Sequence, residues 1–150
     1  GRFRPMTAQC LHIGRADFDR IEAAARHGLP RECCGLILGR HAEDGWIVTG
    51  VAESSNVAPI DRNDRFEVDP ALLLKIQKAA RAGGARMIGV YHSHPEGGSA
   101  PSRADLETSW QTGMIWLITA INAAGAETRA YLREAAAFVP VTLQIMETEQ

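Results

Sequence analysis

At 150 residues the chain has room for one domain, and a hydrophobic content of 45% is enough for a core. No apolar run approaches the ~20 residues of a membrane span, and a net charge of −2 without a basic block argues against nucleic-acid or anionic-membrane partners. The three cysteines, Cys10, Cys33 and Cys34, are odd in number and two are adjacent, which speaks against a disulfide framework and for a reducing, cytoplasmic setting. Gly1–Pro5 is short and basic with no apolar stretch behind it, so no signal peptide is expected. Residues 1–5 read as a cloning scar or disordered tail, and 6–150 as a single domain.

Gln9 to Ile13 has the composition of a short strand. Ala16 to His27 is predicted as a helix, with Phe18, Ile21 and Ala25 near one face and Gly28 and Pro30 ending it. Cys33 to Leu38 is a nearly continuous apolar run, the mark of a buried strand, with Cys33 and Cys34 on opposite faces as small buried thiols. Asp44-Gly45 signals a turn, and Trp46 to Val51 returns as the second arm of a hairpin. Glu53 to Arg65 reads as a polar loop and Phe66 to Val68 as a brief strand. Asp69 and Pro70 form an N-cap and N1 pair for a helix to about Arg81, with Leu72, Leu73, Ile76 and Ala80 inward and Gly83 as its stop.

Met87, Ile88, Val90 and Tyr91 then lead a strand into His92-Ser93-His94. Residues i and i+2 of a strand share a face, so both imidazoles can reach one point, while Ser93 points the other way. Pro95 and Gly97-Gly98 turn the chain. A helix is expected from Arg103 to about Thr112, with Asp105 in its first turn and Gly113 ending it. Met114 to Ala120 and Thr128 to Leu132 are strands around a turn at Asn122–Gly125, and Phe138 to Ile145, broken by Pro140, is expected at a sheet edge. Trp46, Trp110 and Trp116 read as core or groove wall. The pattern is mixed α/β: a mixed, largely antiparallel sheet flanked by helices.

Two imidazoles and a carboxylate with one position left open are the make-up of a catalytic zinc site. Taken singly, each half has a plainer reading. Two strand histidines can face solvent, and Ser102-x-x-Asp105 is a capping-box pattern. The zinc reading gains from their proximity across a glycine-rich turn. His12, His27 and His41 lack ligand spacing and read as surface or helix-end residues.

His92-x-His94-Pro95, six residues, then Ser102-x-x-Asp105, resembles the signature of the JAMM (MPN-plus, JAB domain) zinc metallopeptidases, and Glu32-Cys33-Cys34-Gly35-Leu36-Ile37-Leu38-Gly39 resembles the upstream segment of their short prokaryotic members. The likeness runs from about Leu11 to Leu132. It implies the JAB/MPN fold, similar to cytidine deaminases, with zinc on His92, His94 and Asp105. It implies that Glu32 serves as general base toward a zinc-activated water, and that Ser102 donates to the oxygen of the tetrahedral intermediate. Position alone does not choose Glu32 over Glu96 or Glu107; the family pattern does. The implied activity is cleavage after the C-terminal glycine of a ubiquitin-like β-grasp protein, with a sulfur-carrier protein or its conjugates as substrate and a tail able to add to a sheet edge. Eukaryotic deubiquitinating members carry a longer insertion where Met114 and Thr128 are joined here by a short connection, so tight chain-linkage selectivity is not expected. The alternative is a non-catalytic MPN-type scaffold, against which the filled signature argues. A zinc deaminase would need a Cys-x-x-Cys ligand pair, which the sequence lacks.

Overall fold

The structure is a computed structural model, and it describes residues 9–108 and 110–147. The tail reading for Gly1–Pro5 falls outside those residues. The described elements run β1 (Cys10–Gly14), α1 (Arg15–His27), β2 (Cys34–Ala42), β3 (Gly45–Ser54), α2 (Pro70–Arg81), β4 (Arg86–His94), α3 (Arg103–Leu106), β5 (Ile115–Asn122), β6 (Gly125–Arg133) and β7 (Phe138–Met146).

The strands pair in the order β1-β3-β2-β4-β5-β6-β7 and close into a barrel. Neighbours β2/β3, β2/β4, β5/β6 and β6/β7 are antiparallel, whereas β4/β5, β1/β3 and β1/β7 are parallel. The expectation of a mixed, largely antiparallel sheet is therefore met, but an open sheet flanked by helices is corrected to a closed barrel with few helices. Closure comes from β7, whose Thr142–Met146 pairs with Cys10–Gly14. This also corrects the placing of the last strand at an edge. Pro140 is tolerated because it lies before that pairing begins, opposite Tyr131 of β6 alone.

Strand alternation sorts the apolar residues into two cores. Ile37, Tyr91, Ile115 and Leu117 face one cluster with Phe18 and Ile21 of α1, whose buried residues also include Ala25. Leu36, Val90, Trp116 and Ile118 face the other, which is covered by Phe66, Val68 and the half-buried Leu72, Leu73 and Ile76 of α2. Cys33 packs against the first cluster and Cys34 lies in the second, so the two thiols do face opposite sides. Burial pushes Cys33 up to about 11 and Cys34 up to about 12, which keeps both as neutral thiols. Asp69 caps α2, its carboxylate accepting from the Ala71 N–H, with Pro70 at the first helical position.

The helix expected from Arg103 to Thr112 is one turn long, Arg103–Leu106. Its carbonyls are taken by other donors: the Thr108 hydroxyl bonds the Asp105 carbonyl at 2.9 Å, and the buried Arg133 guanidinium bonds that of Leu106 at 2.9 Å. A hydroxyl that competes for a backbone carbonyl favours leaving the helix. Phe66 to Val68 forms a single bridge, Asn56 to Val68, in place of a strand. Among the described residues no helix is long and apolar enough to cross a membrane.

Candidate functional site

Strand β4 lies in the barrel wall between β2 and β5, with Gly89 where any Cβ would run into the Ile115 carbonyl. The strand's period places Val90, His92 and His94 on one face and Tyr91 and Ser93 on the other. His92 is fully buried, stacked on Phe66 at 4.4 Å between ring centroids and edge-on to Trp116 at 5.4 Å. His94 follows as the last residue of β4. Its Nδ1 proton is held by the Gly98 carbonyl at 2.8 Å, so in the neutral ring Nε2 carries the lone pair. The turn supplying that carbonyl is anchored next door. Ser99 is buried; its hydroxyl donates to Glu127 at 2.6 Å, and the Tyr131 hydroxyl donates to its carbonyl at 3.0 Å.

Asp105 arrives from α3. The capping box is present in full: the Ser102 hydroxyl oxygen accepts from the Asp105 N–H at 3.1 Å, and Asp105 Oδ2 accepts from the Ser102 N–H at 2.9 Å. The plainer reading of this pair is therefore correct and also serves the site, because the cap fixes where the carboxylate points. Asp105 Oδ1 lies 2.9 Å from His92 Nε2, and Oδ2 lies 3.2 Å from His94 Nε2. The two Nε2 atoms are 3.2 Å apart.

Glu32 joins them from just before β2. Ser93 holds it there from the opposite face of β4: the Ser93 hydroxyl accepts from the Cys33 N–H at 2.8 Å, and the Ser93 N–H donates to the Cys33 carbonyl. Asn56 holds the other side, its amide donating to the Glu32 carbonyl at 2.9 Å and the Arg65 carbonyl at 3.0 Å while its oxygen accepts from the Ala58 and Glu67 N–H groups. The Glu32 side chain is 4% exposed, with Oε1 unpaired and 3.9 Å from His92 Nε2. Burial pushes its carboxyl up to about 8; the charge of His94 works against this and that of Asp105 with it. Burial lowers His92 despite its bond to Asp105. Burial also opposes charge on His94, yet its bonds to Asp105 and Gly98 leave it raised. Asp105 is held well below the usual carboxylate range, because bonds from both imidazoles outweigh the burial that opposes its charge.

The structure thus brings Glu32, His92, His94 and Asp105 together, with one donor atom from each within 4.8 Å of the others. Two imidazole nitrogens between two buried carboxylates, one of them with an unpaired oxygen, form a set that can hold a metal ion. Ser102 lies beside them, and with Leu29, Pro30, Glu32, Asp64, His94 and Gly97 it lines an open groove of about 620 Å³. Glu96 stands exposed on the groove's rim and Glu107 is exposed and turned toward Arg65, 3.9 Å away. Asn56, Phe66, Ser99 and Glu127 escaped the sequence reading. Asn56 sits in the stretch read as a polar loop and Phe66 in the one read as a brief strand, and only their partners across the fold give them a role. His27 and His41 remain outside the cluster, and His12 pairs with Asp44.

The shift on Glu32 has a stability consequence in the metal-free protein. An acid with an ordinary value of 4.5 that sits at about 8 when folded favours folding most at low pH, and that contribution is lost as pH rises through the folded value. Glu32→Gln should therefore raise the melting temperature of metal-stripped protein more at about pH 9 than at about pH 5. Equal gains at both pH values would show that the carboxylate is not desolvated.

The family described as prokaryotic homologs of the JAB domain matches residues 15–135. Among curated proteins, a desampylase of Haloferax volcanii is 35% identical over 75% of this chain and 82% of its own length. A probable TtuB-protein conjugate cleaving protease of Thermus thermophilus is 32% identical over 70% of this chain and 68% of its own. The solution structure of a Desulfitobacterium hafniense protein superposes with a TM-score of 0.80 at 25% identity, covering 92% of this chain and 94% of that one. One from Salinibacter ruber does so with a TM-score of 0.66 at 25% identity, covering 90% and 91%. With a buried His-His-Asp-Glu cluster at the end of β4 and a family match across most of its length, the chain belongs to the prokaryotic JAB-domain proteins.

Proposed function

We propose that the chain is a zinc-dependent isopeptidase that cleaves after the C-terminal glycine of a ubiquitin-like or sulfur-carrier protein. The observation that carries this reading is the unpaired Glu32 carboxylate, buried against His92, His94 and Asp105 on the wall of an open groove. The relatives named as desampylases and as a TtuB-conjugate cleaving protease support the substrate class.

His92, His94 and Asp105 would hold the ion: two nitrogens and a carboxylate suit zinc, and three protein ligands leave a position open. When bound, zinc supplies Lewis acidity that polarises a carbonyl and lowers the pKa of water to about 7. Glu32, buried beside these ligands with Oε1 unpaired, is placed to take a proton and pass it to the departing lysine amine. Ser102 accepts from the Asp105 N–H with its oxygen, leaving its own proton to donate to the oxyanion. Beyond Ile47, β3 pairs with β2 alone, so its outer edge has room for an extended tail.

Ser102→Ala should keep the metal and lower kcat by about 10²–10³, the effect of removing one oxyanion donor. Unfolding with no separate catalytic defect would reduce Ser102 to a helix cap. The reading as a whole is tested by stripping the protein with chelator and restoring zinc stepwise, with a ubiquitin-like conjugate as substrate. Cleavage should vanish on stripping and return with zinc. Full cleavage by the stripped protein would overturn the reading, and zinc binding without cleavage would favour a scaffold.

A further inference from the structure

We propose a second metal site, at the far end of the barrel, formed by Cys10, His12 and Asp44 and suited to a borderline-soft divalent cation such as zinc. The thiol, one imidazole nitrogen and a carboxylate oxygen all lie within 4.8 Å of one another. Cys10 and His12 are i and i+2 on β1, so both point to the same face. His12 Nε2 is 2.9 Å from Asp44 Oδ2 and 3.0 Å from Oδ1, the same separation as between His92 and Asp105. Gln144, opposite His12 on β7, adds an amide oxygen 3.8 Å from the thiol.

The main chain builds the cluster. The Cys10 N–H donates to the Asp44 carbonyl at 2.7 Å, pressing the β2–β3 turn onto β1. Gly45, at φ +145°, permits this approach, since a Cβ there would collide with the Cys10 carbonyl. The donors therefore come from three separate segments without rearrangement of the backbone. Cys10 and His12 are half-buried and Asp44 is exposed, so water can reach the ion and complete its coordination.

Thiolate, imidazole and carboxylate together favour zinc over magnesium or calcium, which prefer all-oxygen shells. Binding releases the thiol proton to solvent. The two clusters flank opposite ends of β2, with Glu32 before Cys34 and Asp44 after Ala42, on the order of 25 Å apart at strand rise. The second ion would not take part in hydrolysis. It would fasten the seam where β1 and β3 share only the pairs Cys10–Gly45, Leu11–Trp46 and His12–Ile47.

The test is metal titration of the stripped full chain with Zn²⁺ and with Co²⁺. Wild type should saturate at two equivalents. Cys10→Ser and His12→Gln should each saturate at one, with conjugate cleavage unchanged. The cobalt protein should show a near-ultraviolet thiolate-to-cobalt band that Cys10→Ser abolishes and Cys33→Ser retains. A single equivalent in wild type, or a thiolate band that survives Cys10→Ser, would overturn the proposal. His92→Ala should still take up one equivalent, at Cys10, His12 and Asp44, and the double variant His92→Ala/Cys10→Ser none, so failure of either site can be told from failure of the other.

Discussion

Glu32→Gln is expected to bind zinc and substrate, stay folded, and turn over at least ~10²-fold more slowly, the scale of one lost general base. The amide keeps the size of the carboxylate and its hydrogen-bonding reach but cannot take a proton. The local backbone should not notice the change, because Ser93 and Asn56 hold this segment through the Cys33 amide group and the Glu32 carbonyl, not through the side chain. The side chain's Oε1 has no partner among the described residues, so the substitution breaks no hydrogen bond at that atom. The prediction is read by comparing kcat and zinc content of the two proteins. Near-normal turnover with full zinc would remove Glu32 from the mechanism and leave Glu96, on the rim of the same groove, as the next base to test.

His92→Ala and Asp105→Ala should each lose the zinc equivalent held by this cluster and, with it, cleavage down to background. Either change leaves two protein ligands where a catalytic zinc needs three. The Asp105 variant carries a second consequence, because its carboxylate also closes the capping box with Ser102. Asp105→Asn separates the two roles. Its amide oxygen can still accept from the Ser102 N–H, so α3 should remain capped while the anionic ligand is gone. The same number of zinc equivalents as wild type in both His92→Ala and Asp105→Asn would show that the catalytic metal is held elsewhere.

What could be read from the sequence follows the distance over which each feature is decided. The strand bearing His92 and His94, the turn at Gly97 and the cap at Ser102 depend on residues within a few positions of one another, and they lie where the sequence puts them. Glu32 lies 60 residues upstream of His92, and no rule of spacing ties a lone glutamate to that cluster; only likeness to a family singled it out. Barrel closure depends on β1 meeting β7 across nearly the whole chain, and parallel pairing between the first and last strands leaves no local pattern. The shortening of α3 has the same origin. Its last carbonyl is claimed by Arg133, a residue of β6, so a helix-forming run from Arg103 onward stops after one turn. The Asn56 clamp hid in a stretch whose composition says loop, because its four bonds reach Glu32, Ala58, Arg65 and Glu67 only once the chain is folded.

The most direct test of the central claim is the intact mass of the products from a defined isopeptide conjugate, a ubiquitin-like protein joined through its C-terminal glycine to a lysine side chain. With zinc-loaded protein, the account expects two products, the modifier ending in a free glycine carboxylate and the target with an unmodified lysine, and neither in the presence of chelator. A conjugate left intact by fully zinc-loaded protein, or cut at any other bond, would contradict it.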